Sequence, residues 1–123
     1  MKRLSIIVIM STLLSSAYAA EQNNWPAPYR PFKGEYTIYS GGLGDQQAPT
    51  RDERKLSFII EGQIAKEIFD SMGPDDKRTC SDEKGARSRT KGNAWCTYHP
   101  GDGYTCYFGI DLRTGKSIAG GTC

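Results

Sequence analysis

All four cysteines of the chain, Cys80, Cys96, Cys106 and Cys123, fall in its last 44 residues, and one of them is the final residue given. A segment closed in this way reads as a disulfide-stapled β meander, because cross-links stand in for the core that short strands cannot build. Four cysteines allow three pairings. Joining Cys80 to Cys96 and Cys106 to Cys123 closes two short loops of similar size, each worth on the order of 3 kcal/mol in the chain-entropy model. The rival joins Cys96 to Cys106 across a hairpin. If Tyr98 pairs with Tyr104, the two-residue period of a strand sets these cysteines opposite each other.

The other end of the chain explains why disulfides can form. Lys2 and Arg3 precede a mostly apolar run from Leu4 to Leu14, and Ala17-Tyr18-Ala19 supplies small residues where a signal peptidase reads. Residues 1–19 are therefore expected to be a cleavable secretory signal. The apolar run is about half of the roughly 20 residues that span a bilayer as a helix, so no transmembrane anchor is expected after cleavage. Sixteen Lys and Arg stand against fourteen Asp and Glu. The excess is Lys2 and Arg3, so the mature chain is formally neutral, and net charge supports no nucleic-acid partner.

Residues 20–33 interleave Pro26, Pro28 and Pro31 with Trp25, Tyr29 and Phe32, a pattern that predicts an extended arm. Trp25 and Tyr29 are expected to lie against the sheet and cover an edge. Residues 34–123 form a single domain. Gly34 to Ser40 alternates as a half-buried strand, with Tyr36 and Ile38 on one face. Gly41, Gly42 and Gly44 end it and open a mobile loop through Thr50. Lys55 to Ile60 is the second strand. From Gly62 to Met72, Ile64, Ala65, Ile68, Phe69 and Met72 form a helical stripe stopped by Gly73 and Pro74. Beyond Cys80, Arg87, Arg89 and Lys91 alternate on one face of a strand that continues through Trp95, Cys96 and Tyr98. His99 to Gly103 is a turn, Tyr104 to Leu112 the returning strand, and Arg113 to Lys116 a second hairpin before a short last strand.

These elements predict an α+β fold: a small antiparallel sheet of four to five strands, one packed helix and two disulfides. Catalytic and cofactor readings find no footing. Gly115-Lys116-Ser117 ends like a nucleotide-binding loop but lacks its upstream glycine and its following helix. Cys96 and His99, even with Cys80 and Cys106, have neither nucleophile nor zinc-ligand spacing. With one histidine, acid/base chemistry has few candidates. No catalytic residue, cofactor or metal is assigned.

Arg87-x-Arg89 through Cys96, then Tyr104-x-Cys106-Tyr107-Phe108-Gly109, Thr114-Gly115-Lys116-Ser117 and the last cysteine, with the Gly62 to Lys66 helix start, resemble small exported proteins of Gram-negative bacteria. The resemblance implies a periplasmic address and brings no catalytic residues with it. The expected function is an exported, periplasmic or secreted binding module with a protein partner, as in immunity or inhibitor proteins. Contacts are expected from Gly41, Gly42 and Gly44, from Arg87, Arg89 and Lys91, and from Tyr98, His99 and Tyr104. An enzyme or stress factor acting on envelope polymers, or a structural envelope protein, are the alternatives.

Overall fold

The computed structural model describes residues 25–123; the expected signal peptide, 1–19, and the first residues of the expected arm lie outside them. The strands are β1 (Gly34–Gly42), β2 (Asp45–Gln47), β3 (Lys55–Glu61), β4 (Arg87–Lys91), β5 (Ala94–His99), β6 (Gly103–Asp111) and β7 (Ser117–Ile118). One helix, α1 (Gln63–Ser71), follows β3. All strand pairs are antiparallel, in the order β2-β1-β3-β6-β5-β4, with β7 beside the end of β6. The α+β class and the single helix packed on the sheet agree with the sequence reading. The count of four to five strands is corrected to seven, and both extra strands come from two-residue turns. Leu43-Gly44 folds β2 back on β1, pairing Gly42 with Asp45. Gly92-Asn93 divides what reads as one strand into β4 and β5, pairing Lys91 with Ala94. Gly92, at φ +56°, supplies the left-handed backbone such a turn requires. The glycine-rich stretch is therefore hairpin, not the mobile loop expected, with Gly41 and Gly42 inside β1.

Residues directly opposite in an antiparallel sheet share a face. On the helix side, the front, lie Tyr36, Ile38, Leu56, Phe58, Ile60, Cys106, Phe108, Tyr104, Cys96 and Tyr98, as the registers require. The stripe predicted for α1 meets this face, where Ile60, Ala65, Phe69, Cys96 and Cys106 form the buried cluster. Ala65 and Phe69 are fully buried. Packing explains the helix better than local signals do, since its N-cap is Gly62 with no side-chain cap.

On the back face the C-terminal segment lies flat across the strands. Ser57 Oγ donates to Gly120 O at 2.6 Å. A β-carbon at Gly120 would overlap the Phe108 backbone, and one at Gly121 would come within 2.7 Å of the Tyr107 ring. Glycine is what allows backbone to rest directly on sheet here. Trp95 and Tyr107 stack beneath it with centroids 4.6 Å apart.

The disulfides join Cys96 to Cys106 and Cys80 to Cys123. The favoured pairing of Cys80 with Cys96 and Cys106 with Cys123 is corrected, and register is the reason. Tyr98 does pair with Tyr104, so Cys96 falls opposite Cys106 with Cα atoms 4.0 Å apart. Cys80 and Cys123 are left to clamp the 72–86 loop to the C-terminal segment, 43 residues apart in sequence. Disulfides suit an oxidising, exported location. Loop length predicts unequal contributions: replacing Cys80 and Cys123 together by serine should cost about 4 kcal/mol in urea unfolding, against about 3 kcal/mol of cross-link entropy for the other bridge. Peptide mapping of the oxidised protein should return these two pairs.

Candidate functional site

Of the three regions expected to meet a partner, two adjoin, since Arg87 pairs opposite Tyr98, while the glycines lie apart from both. Gly41, Gly42 and Gly44 lie at the β1–β2 edge of the sheet, and Arg87, Arg89 and Lys91 on the opposite edge strand. At the first edge Lys55 Nζ donates to Gly41 O at 2.7 Å, and Gly41 N donates to Glu53 Oε1 at 3.0 Å. The Lys55 ammonium and the Gly41 N–H hold the Glu53 carboxyl below its usual value, and Glu53 in turn raises Lys55.

The cationic stripe does share one face, as its alternation predicts, but that is the helix side and two of its three members are engaged there. Arg89 Nη1 donates to Phe69 O at 2.8 Å, which also accepts from Met72 N, and to Met72 O at 2.7 Å, so this guanidinium binds the carbonyl end of α1. Its Cζ lies 4.4 Å from the centroid of the Phe69 ring, and that of Arg87 lies 5.0 Å from it. Asp75 accepts from Arg87 Nε at 2.7 Å, Arg87 Nη2 at 3.0 Å and Arg89 Nε at 2.8 Å. Hydrogen bonds from Arg87, then Arg89, pull the Asp75 carboxyl down to about 2. Lys91 remains exposed.

The Tyr98 and Tyr104 rings meet at a tilt of 38° with centroids 4.7 Å apart, and Tyr104 meets Phe69 edge-on at 5.1 Å, which makes them part of the floor under α1. His99 Nδ1 sits 3.0 Å from Glu83 Oε2 and ties the turn to the 72–86 loop.

An exposed apolar surface lies elsewhere, among residues read from the sequence as half-buried strand. Helix α1 packs mainly on β6, with less on β3 and β5. Nine residues of helix are about 14 Å long. Six strands side by side are about 24 Å across, so the front face outruns its cover. Tyr36 is 76% exposed and Ile38 38%. With Phe32, Leu56 and Phe58 they line an apolar groove of ≈ 380 Å³. Trp25 and Tyr29, expected to lie on the sheet, are 81% and fully exposed instead. The arm is held through Arg30, whose Nη2 donates to Glu67 Oε2 on α1 at 3.0 Å.

The groove ends at an unpaired edge. Glu61 N donates to Lys33 O, so alternation turns the backbone groups of 33, 35, 37 and 39 toward β3 and those of Gly34, Tyr36 and Ile38 outward. β2 engages this edge only from Ser40 onward. The opposite edge is partly covered: Ser88 O accepts from Asp76 N at 2.8 Å, and the side-chain hydroxyls of Ser88 and Thr90 donate to Asp76 Oδ2 at 2.9 and 2.7 Å. A mismatch between apolar front-face positions on three strands and one short helix was the signal available in the sequence for this site.

Comparison with protein-family models, with curated proteins and with solved structures finds no match to this chain in any of the three.

Two outcomes follow for the Arg–Asp knot. Arg89→Ala should cost about 2 kcal/mol in urea unfolding, because it strips charged hydrogen bonds from part-buried carbonyls. Asp75 has a folded value below its ordinary 3.8, so its contribution is present above that range and is lost as pH falls toward about 2. The stability gap between the wild type and Asp75→Asn should therefore close on acidification across that window.

Proposed function

We propose that the protein is an exported, non-enzymatic binding module of the periplasm, and that its partner is another protein. The carrying observation is the apolar groove of Phe32, Tyr36, Ile38, Leu56 and Phe58, uncovered on a domain otherwise closed by its helix, its C-terminal segment and its loops. Exposed apolar area of this kind, rimmed by polar residues, marks interaction surfaces. Tyrosine and phenylalanine suit a protein interface core, since they bring large area with few rotatable bonds. The Cys96–Cys106 bridge on β6, the neighbour of β3, stiffens the sheet that carries the groove, and rigidity lowers the ordering cost of association. An immunity-like or inhibitor-like role fits a small, rigid, exported chain. The contact surface proposed is the groove. Arg87, Arg89, Tyr98 and Tyr104 are placed by their contacts in the support of α1, and Lys91, Gly44 and His99 outside the groove.

Envelope extracts passed over the immobilised oxidised domain, in parallel with Tyr36→Ser/Ile38→Ser and Lys91→Ala variants, test this. The expected result is a stoichiometric protein retained by the wild type and by Lys91→Ala but lost with the double variant. The double variant should lose only about 1 kcal/mol of folding stability, because both side chains are already partly in water. Retention unchanged by the double variant would remove the groove from the interface.

A further inference from the structure

The way the partner is held can be taken further, on the basis of the binding-module reading. We infer that β1 receives an extended segment of the partner as an added antiparallel strand, five residues long, with apolar residues on the front face and a basic residue opposite Glu35.

The length follows from the edge. Outward backbone groups are available at Gly34, Tyr36 and Ile38, and the next outward position, Ser40, is already taken by Gln47 of β2. β2 thus acts as a stop for the incoming strand. Three residues with outward N–H and C=O offer up to about six main-chain hydrogen bonds, the source of affinity in strand addition. Side chains of the added strand opposite Gly34, Tyr36 and Ile38 would share the front face, on the groove of Leu56 and Phe58. Apolar residues fit there.

The alternate positions point to the back face, opposite Glu35 and Thr37. Glu35 is exposed and has no ion-pair partner among the described residues. A cation across from it forms a favourable cross-strand pair. The occupant is accordingly a foreign segment of apolar–polar–apolar–basic–apolar pattern, read from the position opposite Ile38 to that opposite Gly34.

A second copy of this chain fits the same edge poorly. Pairing Tyr36 with Tyr36 of a second copy would bring residue 32 of each chain to the place where Gln47 of the other pairs with Ser40. Sliding to the next register with the same outward groups sets Glu35 against Glu35, and like charges directly opposite are destabilising.

The experiment uses the oxidised domain and a synthetic probe, acetyl-Ser-Val-Thr-Val-Arg-Val-Ser-amide, with amide hydrogen exchange followed by NMR. At 1 mM probe, exchange at Gly34, Tyr36 and Ile38 should slow at least tenfold, while Glu35 and Thr37, whose N–H groups already face β3, change little. The same peptide N-methylated at its three valines keeps the side chains and should give no protection. Glu35→Lys should weaken the probe about two- to fivefold, the span of a cross-strand ion pair, and exchanging the probe's Arg for Glu should restore it. Absence of protection at 1 mM, or equal protection by the N-methylated peptide, overturns strand addition. Protection present without probe also overturns it, as a second copy if it grows with protein concentration and as the chain's own arm if it does not. Capture that depends on Tyr36 and Ile38 while edge protection is absent would leave the binding-module reading standing and sink this one alone.

Discussion

The front of the molecule hangs on the pairing of Cys96 with Cys106. These residues are opposite in neighbouring strands and fully buried, and their bridge fixes the β5–β6 register in the middle of the sheet. A slip of one residue in a strand turns every side chain to the other face. Locked as it is, the register delivers Tyr98 and Tyr104 together, carries Ile60 to Cys106 through β3, and presents the floor on which Ala65 and Phe69 rest. Phe69 then becomes an anchor of its own. Its ring lies under two guanidinium groups and its carbonyl accepts from Arg89, so the helix end, edge strand β4 and Asp75 close into one knot.

Periodicity made much of this legible. The stripe of Ile64, Ala65, Ile68, Phe69 and Met72 specifies a helix that must lie on a sheet, and the alternation of Leu56, Phe58 and Ile60 identifies the strand beneath it. What escaped was decided by short turns and by partners distant in sequence. Leu43-Gly44 and Gly92-Asn93 are only two residues each, so β2 and β5 merge with their neighbours unless the turn itself is recognised. The cysteine pairing depended on whether Tyr98 met Tyr104, a question of register that composition does not decide. Arg87 and Arg89 look like a free cationic face until Asp75, far from them in sequence, is brought alongside.

The candidate site was hidden for a related reason. Tyr36 and Ile38 have the alternation of a half-buried strand, and they do stand on the core side of the sheet. Whether they are covered depends on the reach of α1, a matter of total area. The two edges of the sheet also differ in ways no local pattern expresses. On β4, Asp76 takes up the outward Ser88 carbonyl and the hydroxyls of Ser88 and Thr90, in keeping with the general need to blunt an edge. On β1 a stretch from Gly34 to Ile38 is left with its hydrogen-bonding groups turned out beside exposed aromatic rings.

A helix too short for its sheet separates two kinds of constraint on the sequence. Phe69, Ala65, Cys96 and Cys106 hold the fold, and change there is limited by packing. Tyr36 and Phe32 are mostly exposed in the free domain and Ile38 only partly covered, so the fold constrains them less than it does the core. On the proposed binding-module reading, their identity answers to the surface they meet, and a lineage of such proteins would exchange one partner for another by altering a few residues along β1, while the stapled half of the molecule stays as it is.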